Sequence, residues 1–225
     1  MWAKAYDIRF GFFFFTLLAI LFGSLVVPEP FFQEYLLPML LLSNIGSGVL
    51  LVSKKKRWVW FFVALFSVGI VFFGIDLINR ERAPEGFELA HLAVYGLFYA
   101  FVTIEIIKQV WQAERVSKNV IIGLMTGYLS LGLLAFFIIL SLEIAQPNSF
   151  KGLLMASEDL ADKIDSLMYY SYITLLTIGY GEIVPVTPIA QKAAILTGLI
   201  GQFYIVIITA VVVEKYVNHS NQLKK

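Results

Sequence analysis

Five consecutive residues, Thr177-Ile178-Gly179-Tyr180-Gly181, carry the clearest chemical signal in the chain, and none of them is a carboxylate, an imidazole or an amine. What they offer is backbone. Glycine reaches backbone angles barred to residues with a side chain, so Gly179 and Gly181 let successive carbonyls turn to one side and present a row of oxygens, with the Thr177 hydroxyl at one end. Oxygens in a row suit a cation. The other reading of Gly-Tyr-Gly is a plain turn, and the surroundings decide between the two. Upstream, Ser166 to Leu176 reads as one short apolar helix, with Asp165 and Ser166 as N-cap candidates.

The elements that must hold such a loop follow from composition. With 59% hydrophobic and 15% charged residues, 20 Phe and 11 Tyr, the 225-residue chain is too apolar for a soluble domain. Cutting it at its charges leaves seven long uncharged stretches: 10–28, 35–53, 58–75, 89–104, 119–142, 166–181 and 193–213. A membrane-spanning helix takes about 20 residues, roughly 17 to 25. The 89–104 stretch reaches this length only with Ile106, Ile107, Val110 and Trp111 added beyond Glu105, and the 166–181 stretch is too short once its Gly-rich end is removed. It reads as re-entrant, which leaves six spans and returns the chain to its starting side. The N-terminal apolar run lacks a small-residue cleavage site after it and counts as the first span.

Charge sets the orientation. On the six-span arrangement one side holds twelve of the 17 basic and four of the 16 acidic residues, a net +8, and the other holds five basic and twelve acidic, a net −7. The positive side is cytoplasmic, so both termini are expected there and the protein is expected in the plasma membrane as a multi-pass chain. Lys54-Lys55-Lys56-Arg57 reads first as a topology determinant and second as an attractor of anionic membrane lipids. The absence of cysteine excludes disulfides and thiolate metal sites.

The pentapeptide and its setting resemble the selectivity filter of the tetrameric potassium channel family, and the resemblance extends from about Val120 to Tyr216. It implies an outer helix, a pore helix, a filter and an inner helix in each of four identical chains. Carbonyls of Thr177, Ile178, Gly179 and Tyr180 would then replace the hydration shell of K+, the permeant ion. Tyr180 would turn its ring outward onto Tyr169 and Tyr170, and Glu182 would keep a carboxylate at the outer mouth where most relatives carry Asp. Ile173 occupies a position that is Glu in some relatives, so no carboxyl pair forms behind this filter. Pro185 and Pro188 precede the last span, where proline at a helix start is tolerated. In Thr197-Gly198-Leu199-Ile200-Gly201-Gln202-Phe203-Tyr204, Gly201 aligns with a gating hinge, although close helix packing accounts for a glycine there equally well. Gln202, Ile205 and Thr209 would line the cavity below the filter. Glu143 reads as an interfacial carboxylate at a helix end, with a buried brace for the filter rim as the second reading.

The first four spans resemble the voltage-sensor-like module that precedes such pores, with one departure. A sensing helix carries an arginine or lysine at every third residue, and Leu89 to Ile107 contains none. Asn44 and Asp76 read first as a packing residue and a span-end carboxylate and second as remnants of a charge-transfer site, His91 first as interfacial and second as an external pH sensor, and Lys108 to Lys118 as an amphipathic linker on the inner membrane surface. The expectation is an all-α membrane protein with a four-helix module over 1–116 and a pore domain over 117–225. It would assemble as a homotetramer, conduct K+ passively and respond weakly to voltage. No enzymatic activity, cofactor or nucleic-acid partner is expected, and with about a dozen residues after the last span no cytoplasmic regulatory domain is expected in this chain. The alternatives are a voltage-gated channel with an atypical sensor, a potassium-uptake transporter subunit and a non-conducting regulatory subunit.

Overall fold

The computed structural model describes residues 9–28, 31–53, 55–78, 85–113, 116–152 and 160–223. They form seven α-helices: α1 (Arg9–Phe22), α2 (Leu37–Leu51), α3 (Lys56–Ile78), α4 (Glu85–Trp111), α5 (Lys118–Ala145), α6 (Leu160–Leu175) and α7 (Pro188–Leu223). Two short strands, β1 (Phe150–Lys151) and β2 (Val184–Pro185), pair antiparallel with Phe150 opposite Pro185 and Lys151 opposite Val184. Five helical segments are long and apolar enough to cross a membrane: Phe32–Leu51, Lys56–Ile75, Leu89–Trp111, Lys118–Ala145 and Pro188–Lys215. The first expected span is shorter than its apolar run. Its helical part covers Arg9–Leu25, because the chain tightens into a 3-10 turn at Gly23–Leu25 ahead of Pro28.

The chain divides into two compact units, Met1–Leu129 and Ser130–Lys225, with the division inside α5 and not ahead of it. Early α5 belongs to the first unit because Gly123 packs on Val110 and Phe10. In that unit α1 packs on α2, α2 on α3, and α4 on both α2 and α3. Phe10, Phe13, Leu17 and Ile20 recur at helical spacing and give α1 one buried face. Gly48 of α2 lets the rings of Phe98 and Phe62 approach the backbone.

Polar side chains fasten the same unit at two levels. Asn44, fully buried, donates to the Thr16 hydroxyl (2.6 Å) and the Phe13 carbonyl (3.3 Å) and accepts from the Tyr99 hydroxyl (2.9 Å). It is a packing residue. Near the C-terminal end of α4, Lys55 reaches both carboxylate oxygens of Glu105 (2.6 and 2.7 Å), and Gln109 links Glu105, the Leu51 carbonyl and Arg9. His91 stacks on Phe72 at 5.2 Å, and the Asp76 side chain lies outside the described residues. The amphipathic linker expected over 108–118 is not formed as a separate helix among the described residues. Lys108 to Trp111 complete α4, since the apolar stripe of Val102, Ile106 and Val110 keeps its helical spacing to the end.

Candidate functional site

The second unit builds its site around the C-terminal end of α6. This helix starts earlier than expected, so Asp165 and Ser166 lie inside it and do not cap it. Leu160 to Ile164 contains no glycine or proline to stop the helix, and Ser166 is buried in the helix interior. Two glycine notches seat α6. Tyr172 fills the first, its ring in the space a Cβ on Gly132 of α5 would occupy. At the second, a Cβ on Gly201 of α7 would overlap the Leu175 carbonyl oxygen and lie 3.0 Å from the carbonyl carbon.

Beyond Leu175 the backbone stops being helical. The Ile173 carbonyl accepts from the N–H groups of Ile178 (2.9 Å) and Gly179 (3.3 Å), and the Thr174 carbonyl from Thr177 (3.0 Å), which closes the helix end. Thr177, Gly179 and Gly181 then take φ of 57°, 55° and 94°, while Ile178 and Tyr180 between them stay outside the positive-φ region. An alternation of this kind gathers N–H groups on one edge in anion-binding nests, and it gathers carbonyls on the other. The glycines adopt such angles freely. Thr177 does not, since a β-branched residue at positive φ is strained. Residues 176 to 182 are all exposed in the single chain, and no Cβ on Gly179 or Gly181 would meet another atom within 4 Å.

Downstream, the chain is held by a frame that starts at Glu143. This carboxylate is buried, 5% exposed, and accepts from the N–H groups of Asn148 (2.9 Å), Ser149 (2.9 Å) and Phe150 (3.3 Å). The interfacial reading of Glu143 is therefore replaced by that of a buried brace, because the turn after α5 folds back and directs three N–H groups at one carboxylate. Asn148 makes the turn at φ 65°, a conformation asparagine tolerates. The frame continues through the β1–β2 pairing and the Val186 N–H to Ser149 carbonyl bond (2.8 Å). At Gly152, φ 88°, a Cβ would overlap the Glu182 carbonyl oxygen. Thr187 then caps α7 by accepting from the Ala190 N–H (3.4 Å), and Pro188 opens that helix as expected.

Tyr169 hydrogen-bonds Glu182, and that bond together with the Glu182 charge pushes its phenol up to about 12. The Tyr170 ring packs edge-on against Phe150 at 5.2 Å. Tyr180 is 73% exposed in the single chain. Ile173 is buried. On α7, Gly201 is buried whereas Gln202, Ile205 and Thr209 are exposed. The structure thus brings Tyr169 to Glu182 at the end of the 177–181 loop, and Gly201 to Leu175 at the end of α6 ahead of it.

Residues 126–218 match the family model of an ion channel. The match spans the Glu143 brace, α6, the 177–181 loop and most of α7. It supports ion channel function, and with the five apolar spans it describes a membrane protein. No curated protein and no solved structure matches the chain. Within the segment matched, sequence reasoning missed Tyr172 as the ring that seats α6 and the positive φ of Thr177. The small residue at Gly132 opposite an aromatic-rich helix was the available signal for the first. No sequence signal marked the second.

Proposed function

We propose that the chain is a potassium-selective channel that conducts K+ passively through one pore shared by four identical copies. The observation that carries this reading is the alternation of φ sign at Thr177, Gly179 and Gly181 immediately after the C-terminus of α6. Carbonyls of Thr177, Ile178, Gly179 and Tyr180, with the Thr177 hydroxyl, then take the place of water around a dehydrated K+. The partial negative charge at the end of α6 favours a cation at the inner end of this row. One loop cannot encircle an ion, which is why four copies are needed. The exposure of residues 176 to 182, and of Gln202, Ile205 and Thr209 below them, fits surfaces that face a shared axis.

In this reading α1 to α5 supply six spans with α7, α6 is re-entrant, and both termini are cytoplasmic in the plasma membrane. The reaction is passive, so no residue is assigned a catalytic role. The test is electrophysiological: bi-ionic reversal potentials of the purified protein in planar bilayers give strong preference for K+ over Na+. Gly179→Asp, which inserts carboxylates among the carbonyls, abolishes that preference. Equal Na+ and K+ permeability in the unmodified protein rejects the reading.

A further inference from the structure

From the contact at Gly201 we infer a positioning residue for the 177–181 loop in place of a hinge, and this rests on the potassium-channel reading above. The contact is backbone to backbone: a Cβ there would overlap the Leu175 carbonyl oxygen and crowd both the Leu175 carbonyl carbon (3.0 Å) and its Cδ1 (3.1 Å). Flexible side chains yield to such crowding, whereas a carbonyl at a helix end moves only with its peptide plane. Interiors this tightly packed transmit displacements instead of absorbing them. Leu175 closes α6 two residues before Thr177, and Thr177 already holds a positive φ.

The surroundings leave α6 little freedom to retreat. Tyr172 is lodged at Gly132 of α5 and Tyr170 packs on Phe150 of the outer frame, so α6 is fixed to two other elements above this contact. A shift of Leu175 on the order of 1 Å, set by the van der Waals separation of carbon and oxygen, is therefore passed forward into Thr177. The absence of a side chain at residue 201 fixes where the row of carbonyls begins. Gly198, one turn earlier on α7, provides an internal contrast: its Cβ would meet the Thr174 carbonyl at 3.8 Å, an ordinary contact.

The test compares the full-length wild type, Gly201→Ala and Gly198→Ala in planar bilayers, reading both the K+/Na+ permeability ratio and the open probability. Gly201→Ala lowers the ratio by about tenfold or more, the scale of effect a misplacement near 1 Å produces at a tightly organised site, while Gly198→Ala keeps the wild-type ratio. A Gly201→Ala channel whose open probability changes while its permeability ratio stays at the wild-type value is a hinge, and the inference is overturned. Should the substituted chain fail to assemble, co-assembly at one part to three with wild-type chains gives the same readout. A lowered ratio in those mixed channels supports positioning, and an unchanged one rejects it. A wild type without selectivity would instead reject the potassium-channel reading itself, which separates the two failures.

Discussion

At the residue scale the loop depends on polar groups whose partners are fixed. Tyr169 keeps its proton to about pH 12 because the neutral phenol donates to Glu182 and the ionised one would be repelled by it. The folded pKa is raised above the ordinary value of 10, so this contribution is complete below pH 10 and disappears as pH rises through about 12. We expect the melting temperature of the wild type to fall between pH 10 and 12 more steeply than that of Tyr169→Phe. Parallel curves for the two proteins would show that the phenol makes no pH-dependent contribution. Thr177 raises a different issue, since a β-branched residue at φ 57° is held there by its neighbours and not by its own preference.

At the element scale the frame outside the loop hangs on Glu143. Its carboxylate gathers three N–H groups of the turn leading into β1, and β1 in turn pairs with β2, which directly follows the loop. Hydrogen bonds to a charged acceptor are the stronger kind. Glu143→Gln replaces one acceptor oxygen with a donor that faces an N–H, and the expected loss is about 2–3 kcal/mol from a buried group left unpaired. Differential scanning calorimetry in detergent measures this as a lower melting temperature; an unchanged melting temperature would mean that β1 is held by its strand pairing alone.

At the scale of the whole molecule, polar side chains fasten the elements of the first unit to one another. Arg9, Lys55, Glu105 and Gln109 tie α1, α4 and the end of α2 together, and Asn44 ties α1, α2 and α4 deeper in the unit. Each elementary charge crossing the full membrane field is worth about 2.3 kcal/mol per 100 mV, and steep gating moves roughly three to four per subunit. Leu89 to Ile107 contains no arginine or lysine, and its one formal charge, Glu105, is ion-paired with Lys55. Conductance–voltage curves in symmetrical K+ are therefore expected to show at most about one effective charge for the assembly. A steep sigmoid with a limiting slope of many charges would show that this unit is a sensor.

What the sequence determined by itself was whatever depends on composition and spacing. Apolar run lengths marked the spans, the shortness of the 166–181 stretch marked α6 as distinct from them, and Gly179 and Gly181 marked the loop. These features are local, because a helix needs only its own residues to satisfy its backbone in lipid. The tertiary structure decided what depends on which distant backbone lies opposite a side chain. Glu143 is a buried brace because the chain folds back over it. Asp165 and Ser166 lose their capping role because α6 begins earlier. Gly201, for which hinge and packing were equally legible in sequence, meets the carbonyl of Leu175, a contact between residues 26 positions apart that no local pattern encodes.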